Sequence, residues 1–381
     1  TFLISVIELI LESANVLPLL LSFRTYAAVA AKTPFADALT AKMEHIDIAF
    51  VGTKNHMEWT AVPKAGYRIY PIWVSGLQRR FTLSNLLFPL KLIVSLVQSF
   101  WLLQRLKPAV MVSCGGYVAG PVGWMASRFG IPVMIQEQNS YPGVTNRMLG
   151  SSAKRIFTAF PDAEDYFPVH NVRMVGNPTR KNLVHTNPSK ARASFNISED
   201  RSVLLVLGGS LGAKSINEAL LHSLETLHDH AGLYIIWQCG KRYIDALTKK
   251  IDLEEYPRLR LQAYLDDMPA AYAAADLVVS RAGASSCSEL MVTGTPSVLI
   301  PSPFVAGDHQ TMNARSMQEQ GAAEMLSDDE AKDTLTELVT RLLADQEQLR
   351  RMNDAALAMA KPFAAEHIAE EILHEIEQSH D

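Results

Sequence analysis

Residues 280–314 carry the chain's densest set of chemically capable side chains, in the order SRAGASSCSELMVTGTPSVLIPSPFVAGDHQTMNA. The preceding run, 275–280, has the continuous apolar character of a buried parallel strand. Arg281 to Ser286 is a small-residue turn, and residues 287–292 continue with helical character, which puts Glu289 in the helix's first turn. A strand, a tight turn and a helix N-terminus make an anion site, because free backbone N–H groups and the positive end of the helix dipole face the turn. A carboxylate there either offsets that positive end or accepts hydrogen bonds from two neighbouring hydroxyls, as on a ribose. A second strand, 296–301, then opens a loop bearing Asp308, His309, Gln310 and Asn313, side chains better suited to a sugar than to a core. An ordinary βαβ unit with a capped helix gives the same pattern, since α/β folds use such turns structurally too.

Other polar or glycine-rich turns follow strands elsewhere. Gly208-Gly209-Ser210-Leu211-Gly212-Ala213 lies between an expected strand, 202–207, and an expected helix, 214–228. The layout is that of a phosphate loop, but no Gly-Lys-Ser/Thr ends it and Ser210 stands where G-x-G-x-x-G has its second glycine. Strand 109–113 ends in Cys114-Gly115-Gly116-Tyr117, where glycines allow close approach of a ligand or another backbone. Strand 132–136 ends in Glu137-Gln138-Asn139, at the carboxyl end where α/β ligands bind. Further strands are expected at 46–51, 67–73, 155–159, 233–238 and 259–263, with helices at 57–65, 90–106, 333–343, 346–360 and 364–377. Gly176-Asn177-Pro178 is a turn signal and marks the linker.

With 381 residues, 48% hydrophobic and 20% charged, the chain has core enough for two domains. A net charge of -5 gives no support to nucleic-acid binding as the main role. Cys114, Cys239 and Cys287 are far apart without metal-ligand spacing, which fits buried thiols in a reducing compartment. The chain opens on Thr1, so its natural start is taken as processed or missing. Residues 3–23 are rich in Leu, Ile and Val, but Glu8 and Glu12 interrupt them, which favours a buried or amphipathic helix over a membrane span or signal peptide. Residues 81–88 mix Phe and Leu directly after Arg79 and Arg80. Such a stretch serves either as a shallow membrane-docking patch or as a helix packing on the sheet.

Seven motifs in one order are similar to a known family. Gly76-Leu77-Gln78-Arg79, Gly115-Gly116-Tyr117-Val118-x-Gly120-Pro121 and Glu137-Gln138-Asn139 lie in the first half. Val175-Gly176-Asn177-Pro178-x-Arg180, Gly208-Gly209-Ser210-x-Gly212-Ala213, Ser280-Arg281-x-Gly283-Ala284 through Glu289, and His309-Gln310-x-x-Asn313-Ala314 follow. From about residue 46 onward the chain resembles the MurG family, peptidoglycan glycosyltransferases of the GT-B class in glycosyltransferase family 28.

The resemblance implies an α/β GT-B fold of two Rossmann-like parallel-sheet domains facing a cleft. These would span 1–178, with the C-terminal helix 362–381 packing back on it, and 179–361 for the sugar nucleotide. It implies inverting transfer of N-acetylglucosamine from UDP-GlcNAc to the C4 hydroxyl of the muramyl sugar of lipid I, giving lipid II for peptidoglycan synthesis. Glu289 would hold the ribose diol and the Leu265 backbone would read the uracil edge. Ser210 and the amides around Ala284, Ser285, Ser286, Cys287 and Ser288 would hold the pyrophosphate. Gln310 and Asn313 would fix the sugar hydroxyls, and Asn139 and Arg180 match further donor positions. Gly115, Gly116 and Tyr117 would line the acceptor side, and Leu77, Arg79, Arg80, Phe81 and Phe88 would dock on the membrane. The expected place is the cytoplasmic face of the bacterial plasma membrane, in company with other cell-wall synthesis proteins. No cofactor and no protein-held metal is expected.

One stretch departs from the family. Its members open with a strand and a Gly-Gly-Thr-Gly-Gly-His loop. Here Phe2-Leu3-Ile4-Ser5 stands in for that strand, and residues 6–34 contain neither glycine nor histidine. The loop's histidine is the family's favoured candidate for assisting the acceptor hydroxyl, so no general base is assigned. Side chains with a Cβ also disfavour the backbone needed for close phosphate approach. The alternatives are a UDP-GlcNAc-binding protein with impaired or no transfer and, with least support, another reaction on UDP-GlcNAc such as 2-epimerisation.

Overall fold

The computed structural model describes residues 17–22, 34–43, 46–54, 58–76, 86–209, 211–230 and 232–378. They form two compact units, one of residues 1–138, 142–178 and 363–381, the other of residues 139–141 and 179–362.

The first unit holds strands β1 (Leu17–Ser22), β2 (Ile46–Gly52), β3 (Arg68–Pro71), β4 (Val110–Ser113), β5 (Val133–Glu137), β6 (Arg155–Thr158) and β7 (Val172–Met174). Its helices are α1 (Pro34–Lys42), α2 (Glu58–Lys64), α3 (Phe88–Leu106), α4 (Gly116–Arg128) and α5 (Val144–Gly150). The second unit holds α6 (Pro188–Ser194), β8 (Val203–Leu207), α7 (Lys214–Asp229), β9 (Tyr234–Gln238), α8 (Ile244–Thr248), β10 (Leu259–Gln262), α9 (Met268–Ala274) and β11 (Leu277–Ser280). It continues with α10 (Ala284–Thr293), β12 (Ser297–Leu299), α11 (His309–Glu319), β13 (Ala323–Met325), α12 (Ala331–Ala344) and α13 (Gln346–Met359). The last helix, α14 (Ala364–Gln378), returns to the first unit.

Both sheets are parallel, ordered β3-β2-β1-β4-β5-β6-β7 and β10-β9-β8-β11-β12-β13. Each is thus a doubly wound sheet whose order reverses beside its first strand, at β1/β4 and β8/β11. Ligands bind such sheets in the crevice beyond the carboxyl ends at that reversal.

Burial on both faces explains the near-continuous apolar strands, such as Val203 to Leu207. Neighbouring residues still divide between the faces, because side chains alternate across a strand. Phe50, Val110, Val112, Met134 and Phe157 pack with Ile368, Ala369, Ile372 and Ile376 of α14. Val51, Met111 and Val133 pack on the other face with Val118, Val122 and Ala126 of α4. Glu371 of α14 pairs with Arg173 at 2.7 Å and Arg155 at 3.3 Å, and Glu370 with Lys42 at 2.8 Å.

Three expectations are corrected. Residues 17–22 belong to a central strand, not to a helix over 3–23; the run Leu-Pro-Leu-Leu-Leu-Ser suits a site between two parallel neighbours, and Pro18 precedes the β4 pairing, which starts at Leu19. The stand-in strand Phe2 to Ser5 lies outside the described residues. Residues 309–313 open helix α11 rather than a loop. The helix after β11 starts at Ala284, three residues early, because small residues offered too little periodicity to fix its start, so Glu289 falls in the second turn. Helix α4 went unread because its glycines and Pro121 mask its pattern.

Candidate functional site

In the second unit, the loops beyond β8 and β9 are built by close backbone packing. Gly209, Gly212 and Gly240 have φ of 76°, 84° and 90°, conformations that side-chain-bearing residues avoid. A Cβ on Gly240 would lie 2.2 Å from the Gly212 nitrogen. Gln238, at the end of β9, bridges the neighbouring loops: its Nε2 donates to the Gly209 carbonyl at 3.2 Å and its Oε1 accepts from the Leu265 N–H at 2.8 Å. The Leu265 N–H is therefore occupied by the Gln238 side chain. Ser210 lies outside the described residues.

Arg281 fixes the β11–α10 turn. Its guanidinium donates to the Ile300 and Pro301 carbonyls at 3.0 and 3.1 Å, to Ser215 Oγ at 2.8 Å and to the Asp328 carboxylate. A planar cation with several donors suits this work, since one rigid group satisfies four acceptors. Arg281 and Gln238 were visible only as a motif residue and a strand-end polar residue, and neither had a role; a polar side chain at the end of a buried strand was the available signal.

Helix α10 has no side-chain cap at Gly283. The Cys287 N–H donates to the Gly283 carbonyl at 2.9 Å, so the amides free to hold an anion are those of the first turn, at Ala284, Ser285 and Ser286. Cys287 and Ser288 drop out of the expected pyrophosphate set. The Cys287 thiol is fully buried and burial pushes it up to about 12, and Ser288 Oγ donates to the Ala284 carbonyl at 2.9 Å.

Glu289 sits one turn further on, and Cα–Cβ bonds tilt toward the helix N-terminus, so its side chain leans toward the same end. Its carboxylate lies 3.4 Å from Arg180 Nε. Burial raises its pKa, while Arg180 and then Tyr272 oppose that rise. Nearby, Gln310 Oε1 accepts the Ser302 N–H at 2.8 Å, leaving its amide nitrogen to donate elsewhere.

Asn313 is a correction. It is fully buried, and its Oδ1 accepts from Ser140 N at 2.9 Å and Ser140 Oγ at 3.0 Å. Its Nδ2 donates to Asn139 Oδ1 and the Ala282 carbonyl, each at 3.2 Å. All four valences of the amide are filled, so Asn313 has none left for a sugar; it bolts residues 139–141 and the β11 turn to α11.

In the first unit, Gly115 and Gly116 both have φ of 85° and open α4. Beneath them runs a buried chain in which Ser113 Oγ donates to Asn146 Oδ1 at 2.8 Å. Asn146 Nδ2 donates to Glu137 Oε2 at 2.8 Å, and the Gly143 N–H joins the same oxygen at 3.0 Å. Glu137, 3% exposed, is a second residue seen only as part of a motif. Tyr117 stacks so close to Gly76 that a Cβ there would fall 1.7 Å from the ring. Phe88 is half-buried at the start of α3, and Leu77, Arg79, Arg80 and Phe81 lie outside the described residues.

Among the described residues no group of three or more His, Cys, Asp or Glu is placed to hold a metal, and no helix is long and apolar enough to cross a membrane.

The glycosyltransferase family 28 N-terminal domain matches residues 34–158, and the family 28 C-terminal domain matches residues 203–371. A UDP-N-acetylglucosamine--N-acetylmuramyl-(pentapeptide) pyrophosphoryl-undecaprenol N-acetylglucosamine transferase of Salinibacter ruber is 48% identical, covering 91% of this chain and 92% of its own. The crystal structure of MurG from Acinetobacter baumannii superposes with a TM-score of 0.75 at 28% identity, over 94% of this chain and 100% of that one. A UDP-GlcNAc 2-epimerase of Neisseria meningitidis, bound to UDP-GlcNAc, shares the fold at a TM-score of 0.64 and 14% identity, over 94% and 100% of the two chains.

Proposed function

The chain belongs to the MurG transferases of glycosyltransferase family 28, and on that premise we propose that it moves N-acetylglucosamine from UDP-N-acetylglucosamine to lipid I, forming lipid II. The observation that carries this reading is the β8/β11 reversal of the second sheet. There a carboxylate, Glu289, stands one turn above three open helix-terminal amides. That pairing fits a ribose diol beside a diphosphate.

In the reaction the acceptor C4 oxygen attacks the anomeric carbon as the bond from that carbon to the β-phosphate oxygen breaks. The acceptor hydroxyl gives up its proton and UDP leaves with the bonding pair. Negative charge grows on the diphosphate, and preorganised amides at a helix N-terminus stabilise charge that develops there. Ala284, Ser285 and Ser286 provide these donors, and Arg281 holds their turn in place. Gln310 serves the sugar through its amide nitrogen, and the Leu265 carbonyl serves the uracil. Gly115, Gly116 and Tyr117 belong to acceptor binding. A transfer assay with UDP-N-acetylglucosamine and a soluble lipid I analogue should yield the disaccharide product. Calorimetric binding of UDP-N-acetylglucosamine without any disaccharide would overturn transfer and leave a sugar-nucleotide-binding protein.

Membrane docking is carried by α3. Leu90, Ile93, Val97 and Trp101 recur at helical spacing and are 51%, 61%, 51% and 67% exposed. The opposite face instead buries Ser95 and Ser99, whose hydroxyls bond back to the carbonyls of Leu92 and Ser95. Such an outward apolar row suits a lipid surface, with Lys91, Arg105 and Lys107 as nearby cations for anionic headgroups. Ile93→Ser combined with Trp101→Ser should weaken sedimentation with anionic phospholipid vesicles by about ten-fold, with UDP-N-acetylglucosamine affinity unchanged. Undiminished vesicle binding would refute this docking face.

A further inference from the structure

We infer that Asp328 and Ser215 are positioning residues for the diphosphate: with Arg281 they tie the turn after β8 to the turn after β11 and so keep the spacing that a diphosphate needs. This rests on the assignment of the diphosphate to the N-terminus of α10. Asp328 lies between β13 and α12, beyond the last of the sequence motifs, which ends at Ala314. Its Oδ1 accepts from Ser215 Oγ and from the Arg281 guanidinium. Arg281 in turn donates to Ser215 Oγ at 2.8 Å, which closes a triangle of three side chains.

Each corner of the triangle belongs to a different connection. Ser215 lies in the first turn of α7, the helix that the β8 turn leads into. Arg281 opens the turn from β11 to α10 and also holds the Ile300 and Pro301 carbonyls beyond β12. Asp328 follows β13, and the Leu326 N–H fixes that segment on β12 by donating to the Leu299 carbonyl at 2.9 Å. Strands β8, β11, β12 and β13 are successive neighbours in the sheet. The triangle therefore joins the carboxyl ends of four adjacent strands, on the side where the β8/β11 reversal opens.

Charge explains why an aspartate stands there. The Arg281 and Asp328 side chains are 16% and 20% exposed. A guanidinium so far withdrawn from water needs a counter-charge and filled donors. Asp328 supplies the charge, while Ser215 Oγ donates to the acid and accepts from the base. A planar fork held by acceptors on several sides is fixed in direction, and it passes that rigidity to the turns it joins. Negative charge grows on the diphosphate as the anomeric bond breaks, so displaced amide donors cost rate as well as affinity.

The test combines calorimetry with UDP and UDP-N-acetylglucosamine, ligand-observed NMR titration with uridine, and transfer kinetics with a soluble lipid I analogue. It uses the wild-type chain, Asp328→Asn and Ser215→Ala, with thermal melts alongside. Asp328→Asn keeps the size of the side chain and one acceptor oxygen but removes the charge. Ser215→Ala removes the bridge and leaves the Arg281–Asp328 pair in place, so it stands in should Asp328→Asn fold poorly. Binding of UDP and UDP-N-acetylglucosamine should weaken about ten-fold in Asp328→Asn and about three-fold in Ser215→Ala. Uridine affinity should stay at the wild-type value, and kcat should fall with the affinity. Equal losses for uridine and UDP would mark the triangle as structural only and overturn the inference. So would variants that keep the wild-type preference for UDP over uridine and the wild-type kcat, a result that leaves the diphosphate assignment standing. A wild-type chain that binds UDP no more tightly than uridine would instead remove the diphosphate from these turns.

Discussion

Replacing Glu289 with alanine is expected to weaken UDP-N-acetylglucosamine binding by about 100-fold or more, since two hydrogen bonds to a charged acceptor are lost at about 1.5–3 kcal/mol each. The loss should appear in the donor Kd and KM, with kcat changed much less. The ribose lies away from the bond that breaks, so its contacts serve ground state and transition state alike. The side chain is 14% exposed, so water replaces it poorly as an acceptor. The wild-type chain should also discriminate against a donor lacking the 2′ hydroxyl, and the alanine variant should not. The fold should survive, because Arg180 is 27% exposed and is able to hydrate its freed guanidinium. Calorimetry on both donors decides the matter: an alanine variant that binds like the wild type, or that keeps its preference for ribose, would remove Glu289 from the site.

Gly240→Ala should be the most damaging single methyl in the second unit. The new carbon would sit 2.2 Å from Gly212 N, 2.3 Å from Gly212 Cα and 2.6 Å from the Leu211 carbonyl carbon, all backbone atoms that no rotamer change can clear. The φ of 90° adds strain of its own. Together these should lower stability by about 3–5 kcal/mol, combining overpacking with backbone strain. Relief requires the 208–212 loop to move, so donor affinity should fall as well. Gly321→Ala is the matched control: its φ is 75°, but nothing lies within 4 Å of the new carbon, so only strain remains. Urea denaturation of both variants checks the difference. Equal midpoints would mean that the loop yields freely and that its shape is not imposed by the Gly240 contact.

Much of this was legible in the residues alone. Apolar runs bounded by glycine or polar turns marked most strands, because burial on both faces of a parallel sheet leaves a continuous signal. Val203 to Leu207 and Val110 to Ser113 are instances, found within a residue of their expected starts. The order of the motifs gave the family. The Gly115-Gly116 pair announced a backbone open to close approach, and both residues adopt a φ of 85°.

What the tertiary structure alone decided is which of those side chains remain free to act. Asn313 and Gln310 look equally apt for a sugar in the chain, three positions apart. Folding fills every valence of the first, through Ser140, Asn139 and Ala282, and leaves the amide nitrogen of the second. Cys287 and Ser288 lose their place at the anion site because the helix starts three residues early and takes their amides. The outward row on α3 appears only once Ser95 and Ser99 are seen facing inward. Local composition and period marked most strands and helices, since these depend largely on neighbours along the chain, but they missed β1, α4 and the start of α11. Hydrogen-bond saturation depends on partners distant in sequence, such as Ser140 and Asn313, and only the folded chain brings those together.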